Sequence, residues 1–224
     1  MHSFLTAGSS SILPVKAITR VNHDWSLLQH SDATGVYVRG YESRLDLFQF
    51  LIIGPSNTPY HDAVFIFDLQ VLPTYPDEPP RVHYLSVGPK LHPNLYCDGH
   101  ICLSLLGTWT AGAAHETWQP TSSNLLQVVL SIQGLVLGVS EPYFLEAGYE
   151  SQQGTEHGKH QSVLYNETAS LYSLNTMAVH CESPPSSSEP FAHIINSHFA
   201  LRGDAILDRC RGWLEDKEEK WSHG

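Results

Sequence analysis

Residues His92-Pro93-Asn94-Leu95-Tyr96-Cys97-Asp98-Gly99-His100-Ile101-Cys102 gather two thiols, two imidazoles and a carboxamide within one short run. Three chemistries fit these side-chain types. His92, Cys97, His100 and Cys102 are all zinc-ligand types, but a structural zinc site usually draws paired ligands from two separated loops. Here the segment has no second cluster, and His180 and Cys181 offer a remote pair. A buried cysteine also serves as a small hydrophobe, which suits the apolar Ile101-Cys102-Leu103. The third reading is a nucleophilic thiol, which needs partial exposure and a polar donor for a developing oxyanion. An irregular loop that carries Asn94 supplies both.

A loop of this kind needs a framework, and the flanking sequence encodes one. From Leu13 to about His30, apolar residues recur at helical steps (Val15, Ile18, Val21, Trp25, Leu28), and Ser31-Asp32 and Thr34-Gly35 stop the helix. Four strands follow, at Val36–Arg39, Leu45–Ile53, Ala63–Leu72 and Val82–Leu85. Turn chemistry at Gly54–Pro59 and the prolines of Tyr75-Pro76-Asp77-Glu78-Pro79-Pro80 separate them. Hairpin-linked neighbours predict an antiparallel meander. Residues 86–120 are irregular, and a stretch this long inside a compact domain points to function. Beyond it, Ser122 or Ser123 caps a helix whose apolar face is Leu125, Val128, Val129, Ile132, Leu135 and Val136, ending near Gly138.

Residues 141–162 form a second irregular stretch, and Val163–Met177 reads as a helix. Ser183–Pro190 has the composition of a linker. Phe191–Trp221 is helical in character, with breaks expected at Gly203 and Gly212 and a solvated mixed-charge end at Glu215–Lys220. Residues 1–12 are small and polar and read as a flexible leader. The order of helix, strands, long loop and helices is an α+β pattern.

Composition narrows the function classes. The chain has 224 residues, 42% of them apolar and only 16% charged, and a formal charge of −11. The acidic balance argues against binding phosphate backbones, which takes clustered Lys and Arg. Aromatic residues do not alternate with basic ones, so nucleic-acid stacking is unsupported. No apolar run reaches the 18 or more residues expected of a membrane span. Nor does the start show a basic region followed by an apolar core. Four cysteines are too few for a disulfide scaffold and point to a reducing compartment, cytoplasm or nucleus.

His92-Pro93-Asn94 followed eight residues later by Cys102 resembles the signature of ubiquitin-conjugating enzymes (E2). The neighbouring motifs strengthen the resemblance. Gly54-Pro55-x-x-Thr58-Pro59-Tyr60 is similar to the family's strand-turn motif, and Tyr75-Pro76-x-x-Pro79-Pro80 to its proline corner. Ile101-Cys102-Leu103, Trp118 and the helix around Leu126–Leu135 follow in family order. A narrower likeness is to the large hybrid E2/E3 type, including its plant phosphate-homeostasis members. It rests on Ser104-Leu105-Leu106-Gly107-Thr108-Trp109, Ser131-Ile132-Gln133-Gly134-Leu135, Glu141-Pro142-Tyr143 and Glu146-Ala147-Gly148-Tyr149-Glu150, and on the sixteen-residue step from Cys102 to Trp118 that includes Ala111–Glu116.

The resemblance implies a fold, a division of the chain and a reaction. The fold is the UBC fold. Its core domain would be residues 13–177, with a linker at 178–190 and a C-terminal helical extension at 191–224. Cys102 would take ubiquitin from an activating enzyme (E1) as a thioester and pass it to a lysine of a protein substrate, with hybrid E2/E3 activity. No cofactor is implied, since ATP and magnesium are used by the E1. An E3 ligase is a further implied partner. Asn94 would stabilise the oxyanion or the loop, Glu141 would face the thiol and orient the incoming lysine, His92 and Pro93 would support the loop, and Tyr143 would pack beside it. Cys97 is not the expected nucleophile.

Three departures stand out. Ser104 occupies a position where many members carry an acid. Asp77 and Glu78 replace the apolar residue that many members use to dock ligases. Only Lys16 and Arg20 are basic in the first helix. The alternatives are a catalytically inactive UBC-fold module, a zinc-binding interaction module, and an E2 for a ubiquitin-like modifier.

Overall fold

Hydrophobic alternation is lost where both faces of a strand are covered, and this accounts for the nearly continuous apolar run at Leu45–Ile53. The computed structural model describes residues 2–5, 12–109 and 117–222, with side chains as far as Glu215. Its order is α1 (Val15–Gln29), β1 (Val36–Tyr41), β2 (Arg44–Ile53), β3 (Val64–Gln70), β4 (Arg81–Tyr84), α2 (Leu125–Ser131), α3 (Glu156–Glu182) and α4 (Ala192–Ser222). The four strands form one antiparallel meander in the order β1-β2-β3-β4. This is the α+β architecture expected from the sequence.

The pairing Phe50↔Phe67, Ile52↔Phe65 and Phe48↔Leu69 places six apolar side chains on one face, which packs into the main core with Val21, Val128, Ile132 and Met177. The opposite face carries Leu51, Val64 and Ile66 under Phe191 and Ile195. Those two residues lie at the start of the C-terminal helix, so the expected extension is folded back onto the sheet. The expected linker is also packed. Residues Ser186–Phe191 form a 3₁₀ turn, and Ser188 is buried with its hydroxyl 3.2 Å from Nδ1 of His180.

Several boundaries differ from the sequence reading. The cap of α2 is Asn124, whose side chain accepts from Gln127 N–H, because Ser123 Oγ is already accepting from Gln119 N–H at 2.9 Å. The helix continues past Ser131 as a π-helical turn over Ile132–Leu137. Helix α3 begins at Glu156 rather than Val163, capped by the Thr155 hydroxyl on Gly158 N–H. Helix α4 runs through Gly203 and Gly212 without a break. An isolated glycine costs a helix only about 1 kcal/mol, less than its packing supplies. The beginning of the expected leader is seated on the sheet, with His2 buried and its Nε2 2.9 Å from the Phe48 carbonyl. The remainder of the leader at 6–11 and the Ala111–Glu116 insertion lie outside the described residues.

Two devices hold the framework around the loop. Buried Asp24 on α1 accepts from Arg20 Nε at 3.0 Å, from Leu125 N–H at 3.2 Å and from the Tyr75 hydroxyl, joining α1, α2 and the proline corner. Trp118 Nε1 donates to the Pro76 carbonyl at 2.7 Å, fastening the far end of the long loop to the same corner.

Candidate active site

The segment from His92 to Cys102 is a narrow two-stranded ribbon hung on the β4 edge. Leu95 bridges His92 on one side and Ile101 on the other. Tyr96 N–H donates to His100 at 3.0 Å, Gly99 N–H closes the turn on Tyr96 at 3.0 Å, and Tyr84 N–H of β4 donates to the Gly99 carbonyl at 2.9 Å. Gly99 sits at φ +89°, and a Cβ there would fall 2.0 Å from the His83 ring, so only glycine fits. Leu95 and Ile101 are buried and anchor the ribbon in the core.

Asn94 and Cys102 are the pair opposite each other at the open end. Cys102 N–H donates to the Asn94 carbonyl at 2.9 Å, and the Asn94 side-chain amide donates to the Cys102 carbonyl at 2.9 Å. A carbonyl only accepts, so the amide nitrogen must be the atom facing it. Asn94 N–H in turn donates to Nδ1 of His92 at 2.9 Å. The His92 imidazole is buried against the Tyr60 ring, and burial pushes its pKa down to about 3. His92 is therefore a neutral acceptor that holds the turn. It is not a proton carrier near neutral pH.

Thr108, to which the sequence reading gave no role, clamps the chain on both sides of the thiol. Its Oγ1 donates to the Ile101 carbonyl at 2.5 Å and accepts from Leu103 N–H at 3.0 Å. The signal in the sequence was only a hydroxyl placed just after a glycine.

On a two-stranded ribbon alternate side chains share a face, so Tyr96, His100 and Cys102 project to the same side as Asn94. The Tyr96 and His100 rings lie 5.7 Å apart. The Tyr96 hydroxyl interacts with the Cys102 thiol; burial first, and then this neighbour, raise the phenol pKa. Lys90 Nζ lies 4.3 Å from the centre of the Tyr96 ring and 3.5 Å from the Glu146 carboxylate. Tyr96 thus joins the thiol on one side to the Lys90–Glu146 pair on the other. The sequence reading assigned none of Tyr96, Lys90 and Glu146 a role.

The two residues expected from the following segment are placed differently. Glu141 is exposed, and its Oε1 accepts from Ser162 Oγ of α3 at 3.2 Å. Tyr143 is buried, donates to Gln152 Oε1 at 2.8 Å and packs on Tyr149 and Tyr165. Tyr165 donates to the Leu91 carbonyl at 3.3 Å, so Tyr143 supports the loop through that contact. The carboxylate joined to the loop through a side-chain contact is Glu146.

The four ligand-type side chains of the segment diverge. His92 is buried on Asn94 and Tyr60, His100 and Cys97 are exposed, and the Cys97 thiol points to the Gly88 carbonyl at 4.0 Å. Among the described residues, no three His, Cys, Asp or Glu side chains converge to hold a metal ion. No helix among them is long and apolar enough to cross a membrane. A nearly buried thiol beside a phenol, on a backbone braced by a carboxamide, suits acyl transfer through sulfur.

Comparison with known proteins agrees with this geometry. The sequence family described as "Ubiquitin-conjugating enzyme" matches residues 20–173. "Probable ubiquitin-conjugating enzyme E2 23" of Arabidopsis thaliana is 42% identical over 214 residues, covering 96% of this chain and 19% of that protein. The human "Dual E2 ubiquitin-conjugating enzyme/E3 ubiquitin-protein ligase BIRC6" is 38% identical over 192 residues, covering 84% of this chain and 4% of that protein. The chain therefore spans a minor part of the length of these relatives. Among solved structures, that of human Ubiquitin-conjugating enzyme E2 G1 aligns with a TM-score of 0.46 and 23% identity, over 55% of this chain and 95% of that one.

Proposed function

This chain belongs to the ubiquitin-conjugating enzyme family, and from that membership we propose that Cys102 accepts ubiquitin from an E1 as a thioester and delivers it to lysines of protein substrates. The observation that carries the reading is the reciprocal Asn94–Cys102 pairing. It fixes the backbone on which the thiol stands and leaves the sulfur facing the Tyr96 side of the ribbon. In the first step the Cys102 thiolate attacks the E1-bound thioester carbonyl and releases the E1 thiol. In the second, a lysine amine attacks the new thioester, the isopeptide bond forms and the Cys102 thiolate leaves. Sulfur suits both steps because a thiolate is both a good nucleophile and a good leaving group. Tyr96 and Glu146 are placed to receive the incoming ammonium, the ring by its π face and the carboxylate by its charge.

The test is a charging assay with E1, ATP, magnesium and ubiquitin, resolved without reductant. The expected result is a reductant-sensitive adduct that persists in Cys97→Ser, while Cys102→Ser gives a reductant-stable ester. Absence of an adduct from the folded protein with several E1 and modifier pairs would overturn the reading. A thioester formed only with a ubiquitin-like modifier would reassign the cargo.

Hybrid E2/E3 activity is supported by one specific feature. In the proline corner, Asp77 is held by Lys16 of α1 at 2.8 Å, and Glu78 accepts from the Thr74 hydroxyl at 2.7 Å. This corner therefore presents an ion pair where an apolar contact would serve a ligase. Modification of a protein substrate by E1, this protein and ubiquitin alone is the expected outcome. A strict need for an added ligase would count against it.

A further inference from the structure

Ser173, Leu174 and Met177 stand on α3 at the three- and four-residue spacing that puts side chains on one helix face. Arg209 and Trp213 stand four residues apart on α4. With His61 from the turn between β2 and β3, these side chains line a cavity of about 200 Å³. It shares no residue with the His92–Cys102 ribbon. Leu174, Met177 and the Trp213 indole give it apolar and aromatic walls. One lining atom is out of keeping with them. Ser173 is 1% exposed, yet its Oγ has no hydrogen-bond partner among the described residues. Native proteins leave few buried hydroxyls unpaired.

The same cavity carries charge. Arg209 Nη1 donates to Asp62 Oδ2 at 2.9 Å and to His61 Nδ1 at 3.1 Å, and Nη2 donates to the His61 carbonyl at 3.1 Å. These bonds use three of the five N–H groups of a guanidinium. An imidazole that accepts at Nδ1 is neutral, so His61 adds no charge. Arg202 also donates to Asp62, at 3.1 Å, so two guanidinium groups share one carboxylate. The cluster keeps one positive charge in excess, on a chain whose formal charge is −11.

We propose that this cavity is a binding site for a small aromatic carboxylate. The volume admits a single ring, since a cavity of about 150 Å³ lined by apolar side chains takes up benzene. The ring lies among Leu174, Met177 and Trp213. The carboxylate accepts from the spare N–H groups of Arg209 and from the Ser173 hydroxyl. It thereby supplies the partner that Ser173 lacks and the charge that the two arginines lack. An apolar ligand would leave Ser173 unpaired, and a small inorganic anion would leave the apolar wall uncovered.

The experiment uses the whole chain. Its two methionines are Met1 and Met177, so isotope labelling of the methionine methyl groups places one NMR reporter in the cavity. Met177→Leu assigns that signal. Benzoate is titrated against benzamide, which has the ring without the charge, and acetate, which has the charge without the ring. The expected result is a saturable shift of the Met177 signal by benzoate, with benzamide and acetate weaker by about tenfold or more, the scale of one hydrogen bond to a charged group. Ser173→Ala removes a hydroxyl that holds nothing in the free protein. Its urea midpoint is therefore expected to be unchanged or raised, while benzoate binds about tenfold more weakly. Trp213→Leu, which removes the aromatic wall without touching the Asp62 clamp, also weakens benzoate. No response of Met177 to benzoate, an equal response to benzamide, or full benzoate affinity in Ser173→Ala would overturn the assignment.

Discussion

Asn94 and Cys102 brace each other through two hydrogen bonds of 2.9 Å, one from each residue, so one amide hydrogen of Asn94 is committed to the loop. Loop support and oxyanion stabilisation therefore fall to different hydrogens of one amide. Asn94→Ala removes both, and Asn94→Asp keeps the size but presents a carboxylate to the Cys102 carbonyl. Each is expected to lower unfolding free energy by about 1 kcal/mol, the net worth of an ordinary hydrogen bond. Each is also expected to slow discharge to free lysine by about 10²-fold, the scale of losing one preorganised donor. Urea unfolding and single-turnover discharge check the two parts. Normal discharge in Asn94→Ala would confine Asn94 to loop support.

Glu146 and Glu141 give opposed predictions. Glu146 contacts Lys90, which lies over the Tyr96 ring, whereas Glu141 is bonded to Ser162 of α3. Glu146→Gln is therefore expected to slow discharge to lysine by about tenfold or more, with the loss largest below pH 8, where the amine most needs a proton acceptor. Glu141→Gln is expected to change discharge by less than about threefold on the same scale. Discharge rates from pH 7 to 10 measure both. The reverse ordering would restore Glu141 as the orienting carboxylate.

Burial of His92 links this loop to pH. Its pKa falls on folding from 6.5 to about 3, so the unfolded chain binds a proton that the native chain refuses. Stability from this group is complete above pH 6.5 and is lost as pH falls toward 3, at about 1.4 kcal/mol per pH unit. Burial also lowers the pKa of His61 and His180, which adds to the slope with the same sign. Urea unfolding at pH 7.5 and 5.5 should show the wild type weaker at 5.5. His92→Gln keeps an acceptor for Asn94 N–H and should lose less stability between the two pH values, by about 1.4 kcal/mol. Equal losses in the two proteins would show that His92 is not the group responsible.

What the sequence disclosed depended on whether an element's signal was local. The strands, α1 and the turn of His92-Pro93-Asn94 carry theirs in apolar spacing and proline, and all are found close to where they were expected. The first turns of α3 carry none. Residues 156–162 are polar or small, and Gly158 and Ser162 are buried because they are small, without an apolar stripe to mark them. Asn94 and Cys102 were legible as a pair because their chemistry is concentrated in one short segment. Lys90, Tyr96 and Glu146 were not, because what joins them is side-chain contact between the ribbon and a segment some fifty residues away in sequence. The C-terminal helices were expected to pack on the domain, but the surface that α4 covers was hidden for the same reason. The apolar residues of β2 and β3 announced a second covered face, but nothing local said that Phe191 and Ile195 cover it.

That docked helix is held by charge as well as by packing. Asp62, on the turn between β2 and β3, accepts from Arg202 Nε at 3.1 Å and from Arg209 Nη1 at 2.9 Å, and its carbonyl lies 2.9 Å from Nε2 of His198. Burial alone would raise the Asp62 pKa, but the hydrogen bonds from Arg202 and Arg209 outweigh it and hold the carboxyl below its ordinary range. A carboxyl lowered on folding adds stability above its unfolded pKa and loses it only as pH falls through the folded value. The carboxylate half of the clamp therefore remains in place at pH 5, where His92 already destabilises the fold. Asp62→Asn keeps the shape but leaves two guanidinium groups with no opposing charge. Hydrogen exchange at pH 7 should then show faster exchange across 192–212, while β2 and β3 stay protected, since their ladder hydrogen bonds lie within the sheet. In the wild type, protection of α4 relative to β3 should persist at pH 5. Equal loss of protection in α4 and β3 of Asp62→Asn would mean that the helix and sheet unfold as one unit and that the clamp has no separate role.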